Sequence, residues 1–361
     1  MNDRMKKVSL LLSSHGMEAL LIATSPDLRY LTNLDPIDDE RFKGICIYAD
    51  GRVFAICPSL CRDEFKEDLD NDAHIFAWDD AYGVASAFEA AFNEYGIPRT
   101  LGVNEAVRAA DILPIAKKYG IELLPARKVV GQVRMNKTPE EVERLCKVGS
   151  LADEALRQLV DFIVPGTSES TLKRRLRDIY ESIGGERISY VVATGPNSAL
   201  PHYNKGDRVV GERDVVLIDF GGSHNGYRSD MTRTFFVGGP TEEQKKVYSI
   251  VLEAQLAGEA AVREGIRACD IDRAVRGVIE KAGYGPFFTH RTGHSIGIVG
   301  HDPMPDISST DETVLREGIT FSIEPGIYLP GRFGVRIENC VAVTRTGALS
   351  FTKFPREMTV L

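Results

Sequence analysis

The sequence predicts two domains: an α/β half on a mixed sheet, then an α+β half in which long helices cover a largely antiparallel sheet. Three observations carry this. At 361 residues the chain exceeds what one core of average size holds. Residues 1–128 alternate helix-period and strand-period runs, the pattern of βα units. Residues 138–361 instead set long, well-capped helices among β-rich runs. With 43% hydrophobic residues the chain can fill packed cores, which excludes wholesale disorder. Forty-four Lys and Arg against 52 Asp and Glu leave a net charge of −8, which argues against nucleic acid and anionic membrane as partners.

Taking the elements in order, Arg4, Lys6 and Lys7 precede an apolar run, Val8 to Leu12. The run stops at Ser13-Ser14-His15-Gly16, too short for a signal peptide, and reads as the end of an amphipathic helix. No later run approaches the roughly 18 apolar residues of a membrane span. Glu18 to Ala23 reads as a buried strand. Ile45 to Tyr48 and Arg52 to Cys57 flank Asp50-Gly51, a strong hairpin signal. A strand at His74 to Trp78, a helix near Val84 to Tyr95 and a strand at Leu101 to Asn104 follow. A helix near Ile112 to Tyr119 and a strand at Glu122 to Leu124 complete this half, which has no phosphate-cradling glycine loop. Arg127 to Lys137 is polar and basic and suits a linker, placed at residues 129–137.

Thr138-Pro139-Glu140-Glu141 opens the next helix, with Thr138 as cap, Pro139 where its missing N–H costs nothing, and Glu141 closing a capping box. Thr241 with Gln244 opens another, running to about Glu264. The β-rich runs are Ile188 to Thr194, Val215 to Phe220, Arg228 to Val237, Thr320 to Tyr328 and Val335 to Val343. The six cysteines are scattered and form no disulfide framework, so reduced thiols and a cytoplasmic location are expected.

The chemistry lies in the second half. Asp219 ends the apolar run Val216-Leu217-Ile218, where an isolated carboxylate would cost several kcal/mol unless paired or bound to a cation. Asp230 follows on the next strand of an apparent hairpin turning at His224-Asn225-Gly226, which can bring both carboxylates to one face. Each Asp alone could equally cap a turn or pair with Arg228 or Arg233. Glu324 interrupts Phe321-Ser322-Ile323, and alternation sets Arg336 and Glu338 opposite Val335 and Ile337. Glutamates buried on two strands are rare unless paired or ligating. His290, His294 and His301 lie between these pairs. A lone histidine there would read as a satisfied core residue, but three beside four strand carboxylates read as a site. Four carboxylates and an imidazole form a hard, oxygen-rich set that suits two divalent ions better than one structural zinc. Two such ions can jointly activate water and polarise a carbonyl.

The order Asp219, Asp230, His294, Glu324, Glu338 resembles the ligand site of the pita-bread metallopeptidases, the superfamily of methionine aminopeptidase, aminopeptidase P and prolidase. Five motifs resemble its proline-directed branch: Asp219-Phe220-Gly221, Ser229-Asp230-Met231-Thr232-Arg233-Thr234, His290-Arg291-Thr292-Gly293-His294, Glu324-Pro325-Gly326-Ile327-Tyr328, and Gly334-Val335-Arg336-Ile337-Glu338. The first half is similar to a creatinase-type N-terminal domain, most clearly from Glu18 to Leu34, which implies a ribonuclease H-like mixed sheet. The resemblance implies that Asp219 chelates one metal, His294 and Glu324 the other, and that Asp230 and Glu338 bridge both. It implies Glu324 as general base, His202 and His301 as groups that hydrogen-bond the scissile region, His290 beside the substrate, and Arg336 as an orienting cation. Mn²⁺ is the expected metal, with Co²⁺ and Zn²⁺ as alternatives, and a homodimer is expected. Two positions depart from the commoner family pattern: Ser295 beside His294, and Asp302 after His301.

The function this implies is hydrolysis of the Xaa-Pro bond at the N-terminus of short proline-containing peptides. Aminopeptidase P-type action is preferred over an Xaa-Pro dipeptidase, because Asp302 to Leu315 offers no Lys or Arg for a dipeptide's carboxylate, only acids. The cation would then have to come from Arg332, Arg291 or Arg41 of a second subunit. Further alternatives are a creatinase-like C–N hydrolase and a catalytically inactive binding module.

Overall fold

The computed structural model describes residues 1–69 and 74–361. It divides into two compact units, Met1–Arg134 and Met135–Leu361. In the first, β1 (Ala19–Ala23), β2 (Gly44–Tyr48), β3 (Val53–Pro58), β4 (His74–Trp78), β5 (Thr100–Val103) and β6 (Glu122–Pro125) form one sheet in the order β4-β3-β2-β1-β5-β6. β1, β2 and β3 pair antiparallel, whereas β4, β5 and β6 join in parallel, so the sheet is mixed. β1 and β2 are buried along their whole length, as strands covered on both faces must be. The β2–β3 turn falls at Asp50-Gly51, where Gly51 takes φ +91°.

Among the described residues, six helices accompany this sheet: α1 (Asp3–Leu12), α2 (Pro26–Thr32), α3 (Arg62–Asp68), α4 (Val84–Tyr95), α5 (Ala109–Tyr119) and α6 (Arg127–Met135). Three of them, α2, α3 and α6, lie where the sequence reading places no helix. Arg29-Tyr30-Leu31-Thr32 lies in α2, a short helix capped by Ser25 and started by Pro26. The stretch read as a linker is helical through Met135: Val129, Val130 and Val133 form a buried face, with Arg127 and Lys128 left exposed.

The second unit runs α7 (Pro139–Leu159), α8 (Glu169–Ser182), β7 (Glu186–Thr194), β8 (Asp214–His224), β9 (Tyr227–Arg228), β10 (Met231–Val237), α9 (Glu242–Ala261) and α10 (Ala268–Lys281). Short strands follow: β11 (Gly293–His294), β12 (Asp306–Ile307), β13 (Thr320–Ile323), β14 (Gly326–Leu329), β15 (Phe333–Arg336), β16 (Glu338–Val343), β17 (Ala348–Ser350) and β18 (Thr359–Val360). The main sheet follows the path β13-β16-β10-β8-β7, antiparallel at every step. Both capping boxes form, with Thr138 and Glu141 opening α7 and Thr241 and Gln244 opening α9.

Buried residues of α9 and α10, among them Val251, Ala254, Ile271 and Val275, share a core with Phe321 and Val341 of the sheet. Leu156 of α7 and Leu172 and Leu176 of α8 pack against Val216, Ile218 and Phe220 of β8. The two late β-rich runs are each broken. Pro325 has no N–H for a ladder, so β13 ends before it, and β14 and β15 leave to pair with each other. Glu324 and Glu338 therefore stand where this hairpin branches from the sheet.

Candidate metal centre

The register of the main sheet builds the site. Thr232 of β10 pairs with Asp219 of β8 on one side and with Glu338 of β16 on the other. Paired residues share a face, so both carboxylates flank the Thr232 side chain. Thr232 Oγ1 donates to Glu338 Oε2 at 2.7 Å and accepts from Arg336 Nε at 3.1 Å. Asp230 precedes β10, past a turn at Asn225 and Gly226 whose φ values of 49° and 80° suit the left-handed Asn-Gly turn. Gly221 admits this crossing: a Cβ there would lie 2.0 Å from the Ser229 carbonyl oxygen.

His294 comes from β11, which pairs with β12. A Cβ on Gly293 would sit 1.8 Å from the Ser322 carbonyl oxygen, so only glycine lets the two backbones approach. His294 Nδ1 lies 3.2 Å from the Ser295 carbonyl. That contact places the proton on Nδ1 and leaves Nε2 as a lone-pair donor. Nε2 lies 3.2 Å from Glu324 Oε1 and 3.8 Å from Asp230 Oδ2. Ser322 Oγ donates to Glu324 Oε1 at 3.0 Å and accepts from the His294 backbone N–H at 3.0 Å. Asp230, His294 and Glu338 each offer a donor atom within 4.8 Å of the others.

The charges are poorly compensated as they stand. Arg336 pairs with Asp219, and neither Arg228 nor Arg233 bonds to Asp219 or Asp230. Arg228 donates to the Arg187 carbonyl and Ser189 Oγ; Arg233 takes backbone carbonyls and Asn339 Oδ1. The salt-bridge alternative for the two aspartates thus gives way to a pairing with Arg336 alone. Burial, then repulsion from Asp219 and Glu324, pushes the Asp230 carboxyl well above its ordinary range. Burial and then Asp230, Glu324 and Asp219 do the same to Glu338. Burial also works to raise Glu324, but His294, His290, Arg336 and the Ser322 hydroxyl outweigh it and hold that carboxyl low. Glu338 Oε1 is buried with no hydrogen-bond partner among the described residues. An orphaned carboxylate oxygen costs at least about 1–3 kcal/mol, and a cation beside it removes that cost.

A cavity of about 380 Å³ lies over these groups, in the range of small-molecule sites. It is lined by every site residue the sequence singled out: His202, Asp219, Asp230, His290, His294, His301, Glu324, Arg336 and Glu338. The His301 ring stacks on His294 with centroids 3.8 Å apart. Burial, then His294 and Arg291, lowers its pKa to about 4, so His301 is neutral at pH 7. His290 has both nitrogens engaged, Nδ1 with the Arg291 carbonyl at 2.7 Å and Nε2 with the Tyr328 hydroxyl at 2.8 Å. Tyr328 also accepts from Arg336 Nη1 at 2.7 Å, which makes it the link between histidine and arginine.

Thr232, Ser322 and Tyr328 are supports that residue reasoning did not single out. Their signal was membership of the motifs around the acids, since a hydroxyl in a strand is otherwise unremarkable. Asp302 is not part of the cavity lining: it is buried and paired with Lys137 Nζ at 3.0 Å, which braces the segment that carries His301.

The family model described as metallopeptidase family M24 matches residues 143–345, and that of the creatinase/prolidase N-terminal domain matches residues 4–136. The chain belongs to metallopeptidase family M24. This M24 enzyme is therefore a metal-dependent hydrolase, with a creatinase-type first half and a pita-bread second half. The Xaa-Pro dipeptidase of Pyrococcus horikoshii is 32% identical to it over 361 residues, 99% of each chain. The crystal structure of dipeptidase PepE from Mycobacterium ulcerans matches with a TM-score of 0.93 at 34% identity, covering 99% of this chain and 96% of that one. Recombinant prolidase from Thermococcus sibiricus matches with a TM-score of 0.92 at 33% identity over 100% of both. Relatives carrying dipeptidase names over their full lengths favour the dipeptidase alternative over the aminopeptidase P-type preference.

Proposed function

We propose that this metallopeptidase is an Xaa-Pro dipeptidase, cleaving the bond between the first residue and a C-terminal proline. The supporting observation is the match along nearly the whole chain to enzymes named Xaa-Pro dipeptidase and prolidase, joined to a small cavity that holds a full complement of acidic and imidazole groups. Asp219, Asp230, His294, Glu324 and Glu338 would hold two divalent ions, with Mn²⁺ the native metal and Co²⁺ or Zn²⁺ able to substitute. The orphaned Glu338 Oε1 and the raised Asp230 and Glu338 carboxyls fit such a role. When bound, divalent ions supply Lewis-acid polarisation and lower the pKa of water.

The chain's own groups do the rest. Glu324, held ionised by its neighbours, takes a proton from the attacking water and returns it to the leaving proline nitrogen. Its Oε1 is tied to Ser322, which leaves Oε2 for that transfer. His202 and neutral His301 donate hydrogen bonds to the carbonyl oxygen as it gains charge. Arg336 fixes Asp219 while Tyr328 fixes Arg336, so the ligand row is oriented before substrate arrives.

The test is turnover of Xaa-Pro dipeptides by protein stripped with chelator and then reloaded with Mn²⁺. Activity only after reloading, with Xaa-Pro dipeptides cleaved at least tenfold better than Xaa-Ala dipeptides, is expected. Equal turnover by metal-free protein, checked by elemental analysis, or indifference to proline overturns the reading.

A further inference from the structure

We propose that Arg291 is the specificity residue that binds the free C-terminal carboxylate of the dipeptide, an inference that rests on the dipeptidase reading above. A dipeptidase must distinguish a carboxylate from a peptide bond, and a fixed guanidinium does so through paired charge-assisted hydrogen bonds. Two cations line the cavity, Arg291 and Arg336. Arg336 is buried and committed: Nε to Thr232, Nη1 to Tyr328 and Nη2 to Asp219. Arg291 remains about one-third exposed, with a side-chain relative exposure of 34%. Its Nη1 donates to Asp306 Oδ1 at 2.5 Å, and its Nη2 lies 3.4 Å from Nδ1 of the cavity-lining His301. A guanidinium carries five N–H donors, so others remain for a ligand.

Its position is fixed relative to the metal centre. Asp306, which grips one edge of the guanidinium, is the ladder partner of His294 across β11 and β12. The clamp therefore sits at a set distance from a candidate metal ligand, as a dipeptide of defined length requires.

The acidic run after His301, which from sequence would repel a carboxylate, does not act that way. Asp302 pairs with Lys137 and Asp306 with Arg291. Asp311 accepts the backbone N–H groups of Asp306 at 2.8 Å and Thr313 at 2.9 Å, and Glu312 lies 3.7 Å from Arg267. Arg332, another candidate cation, instead pairs with Glu243.

The experiment compares kcat/KM for Ala-Pro and for Ala-Pro amide in wild-type, Arg291→Met and Arg291→Gln proteins, all loaded with Mn²⁺. The ratio of the two substrates cancels any general damage to the site, and Gln can still donate to Asp306 should Met disturb folding. The wild type is expected to prefer the free acid, and both variants to lose about tenfold or more of that preference, the scale of one charge-assisted hydrogen bond. Calorimetric binding of free L-proline over prolinamide should weaken in parallel. A wild-type preference that survives in both variants overturns the clamp and leaves the dipeptidase reading standing. A wild type indifferent to the amide overturns the dipeptidase reading itself, and the clamp with it.

Discussion

Glu338 Oε1 is a buried acceptor with nothing to accept from, and Oε2 is held by Thr232. Replacing the acid by an amide keeps the shape but sets donors where a cation belongs. Glu338→Gln is expected to lower turnover by about 100-fold or more, on the scale of losing a dominant electrostatic contribution, and to reduce bound metal measured by elemental analysis. Wild-type metal content in an inactive Glu338→Gln would contradict ligation. Tyr328→Phe is the contrasting case. It removes the hydroxyl between His290 and Arg336 and should slow turnover roughly tenfold, about 1.4 kcal/mol, with metal retained. Cysteine provides a control away from the chemistry. Burial pushes the Cys57 thiol up to about 12, and Cys46 further, so neither should react with a thiol reagent at pH 8 before unfolding; burial raises Cys146 too, but its partial exposure should let it react first. The acids were legible in the sequence because a charge inside Val-Leu-Ile runs demands a reason. Thr232 and Tyr328 were not, because their partners lie on other strands and register is a property of the folded sheet.

Capping and turn chemistry, being local, could be read directly: Thr138, Glu141, Thr241, Gln244 and Asp50-Gly51 all do what their types require. Thr138→Ala removes an acceptor for the Glu141 N–H and should cost about 1 kcal/mol, seen as a melting temperature lower by about 2–4 °C; an unchanged melt would mean the cap is redundant. At β11, Gly293→Ala forces the strand off Ser322 and carries His294 with it, so metal affinity should fall together with turnover. Two element boundaries escaped the sequence for physical reasons. α6 hides a narrow apolar face among basic residues, and composition alone makes such a segment look like a linker. The 320–328 run looks continuous because Ile327 and Tyr328 resume the β-type residues, yet Pro325 ends one ladder and lets the next strand choose a new partner.

For the molecule as a whole, metal, protons and stability are linked. In metal-free protein Asp230 and Glu338 hold protons more tightly folded than unfolded, burial being the first cause. Stability from such groups is present in full below the ordinary carboxylate pKa and is lost as pH rises through the raised values. Glu324, held low, works in the opposite sense, but it is one carboxyl against two. Metal-free protein should therefore lose stability as pH rises above the ordinary carboxylate range, and Mn²⁺ should raise the melting temperature more at pH 8 than at pH 5, since fewer protons must be displaced. An equal rise at both pH values would mean these carboxyls do not hold the ion. The row Asp219–Thr232–Glu338 also sets an order of events during folding. Its outer members lie far apart in the chain and meet only through the central strand β10, so loop closure must come before any ligand constellation exists. During synthesis, a growing chain that has emerged only as far as α10 has Asp219 and Asp230 but neither glutamate nor His294. A chain of that length holds only two of the five candidate ligands, and in refolding the return of activity should follow closure of the ladder that joins β8, β10 and β16.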